Sequence, residues 1–146
     1  MHIRQVSIFV ENQPGSLLAL TRLLQEHHVD MLSITLADTA HFGIVRCIFA
    51  NPEEAVELIR KAGYTVRAND VLGVHVPDRP GGLSEVLELL AAANVSVEYL
   101  YSYTRRVKGQ IYIIFRVDQL PQAEAALARA GIGMISQEDL TAEAEG

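Results

Sequence analysis

The feature that most constrains the fold of this chain is a sequence pattern that occurs twice. In each copy an alternating apolar run ends at a short segment with proline and glycine, and the apolar spacing of an amphipathic helix follows. We call residues 11–17 the first turn and residues 78–83 the second turn. The residue pairs that lie 66 positions apart are Asn12 and Asp78, Pro14 and Pro80, Gly15 and Gly81, and Leu17 and Leu83. Further along, Gly63 and Gly131 are 68 apart, so we predict an internal duplication of about 70 residues.

The duplication predicts two small domains in the 146-residue chain. We place a first module at residues 1–69, a second module at residues 70–140 and an acidic, frayed tail at residues 141–146. Residues 68–70 are expected to form a short link between the modules. Because a domain of this size buries only a marginal fraction of its surface, each module is expected to pack on its copy or on a second chain.

Apolar periodicity predicts the same order of elements in both modules: strand, helix, strand, strand, helix, strand. The predicted strands are residues 3–10, 31–37, 43–49, 64–67, 72–76, 95–104, 111–117 and 132–135. The first helix of each module begins at its turn, and the second ends at Gly63 or Gly131. This βαββαβ order is the ferredoxin-like order. The predicted fold class is therefore α+β, with two helices on one face of an antiparallel sheet in each module.

The residue types of the two turns suit recognition of a small zwitterion. Each proline is expected in the first helical turn, where its missing N–H removes no helical hydrogen bond. Each glycine allows unusual backbone torsions and close approach of a ligand. The free N–H groups of a helix start attract carboxylates, and the Asn or Asp at the start of each turn adds an acceptor for an ammonium group. The alternative interpretation is a plain strand-to-helix turn, which such sequences usually form.

The duplicated pattern resembles the ACT domain, a small-molecule regulatory module of amino-acid metabolism, over nearly the whole chain. In that family a strand is followed by Asn or Asp-x-Pro-Gly-x-Leu, a helix, and a strand that starts with Val and Asn, Asp or Ser. Residues 12–17 with 29–31 match this motif, and residues 78–83 with 95–97 match it again. The resemblance implies ferredoxin-like modules paired side by side in an eight-stranded sheet, with an amino acid bound at their interface.

The resemblance also implies a set of ligand-binding residues. They are Asn12, Pro14, Gly15, Ser16, Asp30 and Met31 in the first module, and Asp78, Pro80, Gly81, Gly82, Ser96 and Val97 in the second. The turn glycines would provide N–H groups to the ligand carboxylate, and the Asn or Asp of each turn would hold the ammonium group. Asp30 and Ser96 would reach across from the neighbouring copy. Because these two residues differ in chemistry, the resemblance does not imply equal occupancy of two sites.

The histidines and the cysteine have simple structural interpretations. His27 and His28 are adjacent at a helix end, and adjacent side chains do not share a helix face, so we expect no metal site there. Cys47 lies beside apolar strand residues and is expected to be a small buried residue rather than a nucleophile.

Three polar or aromatic groups leave alternatives open. Glu85 and Glu88 with Asp78 could suggest paired catalytic carboxylates, although helical spacing favours a solvated face. The tyrosines on one face of a predicted strand could stack nucleic-acid bases or pack against other side chains; they are Tyr99, Tyr101 and Tyr103. The basic residues of the hairpin at 105–108 are expected to form a solvated tip or a contact for a partner.

Charge, hydropathy and cysteine content bound the classes of function. The net charge is −6, so we expect no basic surface for nucleic acid or for an anionic membrane. No apolar run reaches transmembrane length, and the first residues lack a signal-peptide pattern. The single cysteine excludes an intrachain disulfide, which favours a cytoplasmic location.

We therefore expect a non-enzymatic sensor or regulatory protein that binds a free amino acid at the interface of tandem ACT modules. The alternative expectation is a regulatory subunit of a separate amino-acid biosynthetic enzyme, such as acetolactate synthase. We expect no catalytic residue, metal or cofactor, since the sequence has no nucleophile–base pair and no phosphate-binding glycine loop. A homodimer is expected because sheet edges would otherwise stay unpaired.

Overall fold

The computed structural model describes residues 2–39 and 41–145, in which it contains seven strands and five helices. In chain order they are β1 (Ile3–Glu11), α1 (Ser16–Glu26), β2 (Met31–Asp38), β3 (Phe42–Phe49), α2 (Pro52–Lys61), β4 (Val66–His75), α3 (Gly82–Ala92), β5 (Val97–Ser102), β6 (Tyr112–Val117), α4 (Leu120–Arg129), β7 (Met134–Ile135) and α5 (Gln137–Glu145). The βαββαβ order occurs twice, with β4 ending the first repeat and starting the second. This confirms the predicted α+β class with two ferredoxin-like repeats.

The chain divides into two compact units. The first unit contains Arg4–Asn69, and the second contains Asp70–Glu143 together with His2 and Ile3. Every helix within residues 2–39 and 41–145 is too short or too polar to cross a membrane.

In the first unit, two helices cover one face of an antiparallel sheet. β3 pairs with β1 on one side and with β2 on the other. The N–H of Phe9 donates to the carbonyl of Thr65 at 3.0 Å, so the segment that enters β4 lies on the other side of β1. The buried core residues are Val6, Ile8, Val10, Leu20, Leu24, Val45, Cys47, Phe49, Ala55 and Ile59. Removal of apolar surface from water, at about 25 cal/mol per Å², holds both helices on the sheet.

The second unit repeats this arrangement. β4 pairs with β6 and β7, and β6 pairs with β5. The buried core residues are Leu72, Val74, Val76, Val86, Leu90, Val95, Phe115, Val117, Ala123 and Leu127. Nine of these ten residues are equivalent to core residues of the first unit, as expected for a duplicated sequence; Val95 is the exception.

The tyrosines of β5 share one face of the sheet, as predicted. Leu100 pairs with Phe115 of the core, whereas Tyr101 pairs with Ile114. Because successive strand residues point to opposite faces, Tyr101 lies on the face away from the helices. The ring of Tyr99 is stacked with that of Tyr101, with centroids 6.5 Å apart. These rings therefore pack against each other on the face that α3 and α4 leave open.

The predicted break between two strands at residues 68–70 is wrong, because β4 runs without interruption through Val66–His75 and includes these residues. The side chain of Asn69 accepts a hydrogen bond from Nε2 of Gln5 at 3.3 Å. The carbonyl of Asp70 accepts one from Nη1 of Arg116 at 3.3 Å. The sequence Ala-Asn-Asp contains no proline or glycine, so nothing interrupts the strand where polar residues suggested a loop.

The expectation of a frayed tail is also wrong, since α5 is helical through Glu145. The N–H of Ser136 donates to Oδ2 of Asp139 at 2.9 Å, and the N–H of Asp139 donates to Oγ of Ser136 at 3.2 Å. This reciprocal pair is a capping box, which satisfies donors at the helix start. Leu140 is only 1% exposed, and the N–H of Gln137 donates to the carbonyl of His2 at 3.0 Å. The capping box and the buried leucine order a segment whose composition suggested disorder.

Candidate functional site

Two backbone hydrogen bonds form within the first turn. The N–H of Gln13 donates to the carbonyl of Glu11 at 2.9 Å, and the N–H of Ser16 donates to the carbonyl of Gln13 at 3.2 Å. Gly15, at the N-cap of α1, has a φ of 86°, in the left-handed region that favours glycine. Among the residues that the structure describes, the N–H groups of Gly15 and Leu17 find no acceptor. Such free donors are what a helix start provides for an anion.

The prolines of both turns lie just outside the helices rather than in the first helical turn, where they were expected. Pro14 precedes the N-cap Gly15, and Pro80 precedes the N-cap Gly81. The reason is that each glycine is the N-cap in a left-handed conformation, so the helix begins only at the residue after it. Proline in the turn still fixes one backbone torsion and so keeps the turn rigid.

Asn12 forms a side-chain pair with Asp38, the last residue of β2. Its Nδ2 donates to Oδ1 of Asp38 at 2.8 Å and lies 3.4 Å from the carbonyl of Thr39. The strand register brings the side chains of Asn12 and Asp38 together, because Val10 of β1 and Asp38 both pair with Gly43 of β3. The pair leaves Oδ1 of Asn12 and the second oxygen of Asp38 as acceptors beside the turn. Sequence reasoning missed Asp38, although antiparallel neighbours place the end of β2 beside the end of β1.

Two clefts of the first unit flank the first turn. One cleft of about 440 Å³, which we call the Asn12 cleft, is lined by Val10, Glu11, Asn12, Gln13, Pro14, Leu17, Leu36 and Asp38. The other, the Tyr64 cleft of about 410 Å³, is lined by Phe9, Val10, Glu11, Ser16, Ala19, Phe42, Gly63, Tyr64 and Thr65. The Asn12 cleft combines carboxylates with an apolar wall, and it contains two of the residues predicted to bind ligand, Asn12 and Pro14. Ser16 lies in the Tyr64 cleft instead.

The second turn has the same backbone but different side-chain contacts. Gly81 has a φ of 85°, and the N–H of Gly82 donates to the carbonyl of Arg79 at 3.0 Å. A β-carbon on Gly82 would overlap the carbonyl oxygen of Pro77, so this glycine is a packing requirement. Nη2 of Arg79 lies 2.7 Å and 2.9 Å from the two carboxylate oxygens of Glu85. An ion pair therefore spans the start of α3, where the first turn has Gln13 and α1 has Ala19 at the equivalent positions.

The strand residues around the two turns also differ between the units. The positions equivalent to Leu36 and Asp38, 66 residues on, are Ser102 and Thr104, and the position equivalent to Gly43, 68 residues on, is Ile111. Asp78 replaces Asn12 and is exposed. The carboxylate–amide pair and Leu36 of the first unit are therefore replaced by other side chains in the second.

The remaining predicted ligand-binding residues lie at the far ends of their strands. β2 starts at Met31 and ends beside the first turn, so about 23 Å of strand separates Asp30 and Met31 from that turn. Ser96 precedes β5, and its N–H donates to Oδ1 of Asp118 at 2.8 Å. Val97 begins β5 and pairs with Val117. Within its own unit, neither pair of residues joins the turn with which the motif associates it.

The other candidate residues have structural roles. Cys47 is buried with Sγ 3.8 Å from Sδ of Met31, and burial raises the pKa of its thiol to about 12. A thiol with this pKa is protonated near neutral pH and is a poor nucleophile. Nδ1 of His27 lies 3.0 Å from the carbonyl of Leu23 at the end of α1. In residues 2–39 and 41–145, no group of three or more His, Cys, Asp and Glu side chains is arranged to hold a metal ion.

Comparison with known proteins gives one family and several similar structures. The family model of the ACT domain pair matches residues 1–144. The crystal structure of protein BT0572 from Bacteroides thetaiotaomicron is similar over 97% of this chain and 96% of that chain, with 29% sequence identity and a TM-score of 0.88. No curated protein matches this chain.

Two regulatory subunits of aspartate kinase share the fold. The ligand-free form from Thermus thermophilus has 17% identity and a TM-score of 0.62, over 89% of this chain and 91% of that chain. The subunit from Thermus flavus has 17% identity and a TM-score of 0.59, over 86% of this chain and 88% of that chain. At this level of identity the similarity concerns the fold alone.

Proposed function

Because this chain belongs to the ACT domain pair family, we propose that it is a non-enzymatic regulatory protein that binds a free amino acid in the Asn12 cleft. The observation that carries this proposal is the Asn12–Asp38 pair, which lines the same cleft as Leu17, a residue with a free N–H group. An α-amino acid carries its cation and its anion on a shared carbon, so its site needs acceptors and donors in one small cleft. The first turn supplies both kinds of group.

The charged and polar groups of the cleft support an assignment of protein acceptors to the ligand ammonium group and of donors to the ligand carboxylate. The carboxylates of Asp38 and Glu11 and the free amide oxygen of Asn12 would accept hydrogen bonds from the ligand ammonium group. The N–H group of Leu17, which lines the cleft at the positive end of the α1 dipole, would donate to the ligand carboxylate. A volume of about 440 Å³ lies within the range of about 300–1,000 Å³ that is usual for small-molecule sites.

We propose the first turn as the principal site and assign the second turn a structural role. The second turn has an ion pair between Arg79 and Glu85 over its helix start, and it has Thr104 where the first has Asp38. Its remaining predicted residues, Pro80, Gly81 and Gly82, would then serve the shape of the turn. Because Asp30 and Ser96 do not reach a turn in their own unit, the proposed site is built without them.

Regulation of a separate biosynthetic enzyme is the second candidate function. The fold shared with regulatory subunits of aspartate kinase favours an enzyme of amino-acid biosynthesis as the partner. This observation supports the class of partner and does not select acetolactate synthase in particular. Co-purification with a tagged chain separates the two candidates, since a regulatory subunit would retain an enzyme and a sensor would be recovered without one.

A homodimer and a cytoplasmic location belong to the same proposal. β2 lies at the end of the strand order and pairs only with β3 in the described part of the chain, so its outer edge is available for a second copy. The single cysteine of the chain is free and buried, which agrees with a protein that needs no disulfide.

Isothermal titration calorimetry with each of the common amino acids tests the proposed function. We expect saturable binding of at least one amino acid, weakened in Asp38→Asn because the ligand ammonium group loses a charged acceptor. A hydrogen bond to a charged group contributes about 1.5–3 kcal/mol, which corresponds to a loss of roughly ten- to a hundredfold in affinity. Absence of heat from every amino acid at millimolar concentration would contradict the proposal.

A further inference from the structure

The Asn12 cleft is lined by four apolar residues in addition to its polar ones. We call them the apolar wall, and they are Val10, Pro14, Leu17 and Leu36. Leu36 pairs with Val45 and so lies on the face of the sheet that the helices cover, yet it remains 52% exposed. Its side chain is therefore apolar surface inside a concave site, rather than part of the packed core.

Gly43 allows the apolar wall and the polar end of the cleft to meet. A β-carbon at this position would lie 2.9 Å from Cδ1 of Leu36, 3.1 Å from Oδ1 of Asn12 and 3.2 Å from Cγ2 of Val10. These separations are shorter than ordinary van der Waals contacts. The absence of a side chain at Gly43 thus lets two aliphatic side chains and one amide approach the same point.

Comparison of the two units shows that the order of helices and strands does not require a leucine at the position of Leu36. The second unit has the same order of elements with Ser102 at the equivalent position. The other apolar lining residues have equivalents of the same type in the second unit, namely Val76, Pro80 and Leu83. A leucine needed for folding at this strand position would be expected in both copies. Leu36 is instead specific to the unit whose turn carries the Asn12–Asp38 pair.

We propose that the Asn12 cleft selects an α-amino acid with an aliphatic side chain and that Leu36 is the specificity-determining residue. This inference rests on the proposed function and adds the class of ligand. The ligand ammonium group would lie near Asp38, and the aliphatic side chain would lie against Leu36 and Leu17. The lining of the cleft contains the carboxylates of Glu11 and Asp38 and no basic side chain, so it opposes an acidic ligand.

The test is calorimetric titration of the full chain and of Leu36→Ser with leucine, isoleucine, valine, methionine, alanine, aspartate and lysine. Ser is the residue that the second unit has at this position. In the unmodified chain we expect the aliphatic ligands to bind most tightly. One methylene group in an apolar pocket changes affinity by roughly ten- to 200-fold, so Leu36→Ser is expected to weaken the binding of leucine at least about tenfold. The side chain of an alanine ligand does not reach the apolar wall, so the affinity for alanine is expected to change less than about twofold.

The matched control is Leu100→Ser, which makes the same substitution at a β-strand leucine that is 39% exposed and lies in the second unit. It is expected to leave the affinity for leucine unchanged. A second variant, Leu36→Phe, narrows the cleft without adding a polar group and is expected to shift preference from leucine towards alanine. This variant keeps the inference testable if the serine variant folds poorly.

The outcomes separate this inference from the proposed function. Tightest binding of aspartate or lysine, or equal loss of leucine and alanine affinity in Leu36→Ser, would overturn the aliphatic assignment while leaving amino-acid binding in place. Failure of every amino acid to bind the unmodified chain would overturn both. Loss of leucine affinity in Leu36→Ser, with alanine and the Leu100→Ser control unchanged, would support the inference.

Discussion

Asn12 and Asp38 are 26 residues apart in the chain, yet Nδ2 of the one lies 2.8 Å from Oδ1 of the other. They meet because β1 and β2 flank β3 and both reach Gly43 near their ends. A surface pair of this kind contributes little to stability, so its importance depends on what it positions. It holds the Asn12 amide in the cleft that is also lined by Leu17, whose N–H group is free.

The two copies of the turn allow a matched test of this pair. Asn12→Ala removes the amide that orders Asp38 and is expected to weaken amino-acid binding by roughly tenfold or more, the effect of a lost hydrogen bond to a charged group. Asp78→Ala removes the equivalent residue of the second turn, 66 positions on, and is expected to change affinity less than about twofold. Calorimetric titration of both variants checks this. An equal loss in the two variants would show that both turns bind ligand.

The left-handed backbone of Gly15 makes a prediction about stability. Its φ is 86°, and no atom lies within 4 Å of the position that a β-carbon would take, so Gly15→Ala introduces backbone strain without overlap. The cost is about 1–2 kcal/mol, which lowers the melting temperature by roughly 2–8 °C. Gly133→Ala is the control, because its β-carbon would make an ordinary 3.4 Å contact with His75. Scanning calorimetry without ligand should find a lower melting temperature only in Gly15→Ala; equal melting temperatures would refute the strain at the turn.

The capping box at α5 predicts a pH-dependent contribution to stability. The backbone hydrogen bond from Ser136 lowers the pKa of Asp139 below its ordinary value of 3.8, against an opposing effect of burial. A carboxyl group with a lowered folded pKa stabilises the fold above its unfolded pKa, and this stabilisation is lost as the pH falls through the folded pKa. Asp139→Asn is therefore expected to be less stable than the unmodified chain at pH 7, by about 0.3–1 kcal/mol, the usual contribution of a negative charge near a helix N-terminus.

Thermal unfolding of Asp139→Asn and of the unmodified chain at pH 7 and at about pH 2–3 measures this effect. The difference in stability is expected to shrink as the pH falls through the lowered folded pKa of Asp139, because the native carboxyl group then becomes protonated. A difference that stays constant, or grows, as the pH falls would rule out the charged capping interaction. Ser136→Ala, which removes the reciprocal hydroxyl acceptor, should be destabilised at both pH values.

Local sequence patterns predicted most helices and strands of this fold. They were less informative about the pairing between distant strands. Proline and glycine at the turns marked both helix starts, because these residues restrict or permit particular backbone torsions. Asp38 escaped notice because its role depends on the register of three strands, which periodicity does not specify. The prediction of a frayed tail relied on the acidic composition of the last residues. It did not use the capping box at Ser136 and Asp139, although that signal is local.

The differences between the units could not be predicted from the turns alone. The sequences of the two turns are similar, but the surrounding strands replace Leu36 and Asp38 with Ser102 and Thr104. Strand pairing places these positions beside the turns, and the sequence of a turn does not specify that pairing. The Arg79–Glu85 ion pair is likewise a tertiary contact across the start of α3, between residues that the motif treats as variable.

The most direct test of the central claim is a titration of the isotope-labelled chain with the tightest-binding amino acid, followed by amide chemical shifts. We predict saturable shifts at the N–H groups of Gly15 and Leu17, with much smaller shifts at Gly81 and Leu83 of the second turn. Shifts confined to the second turn, or to residues outside both turns, would contradict an amino-acid site at the first turn.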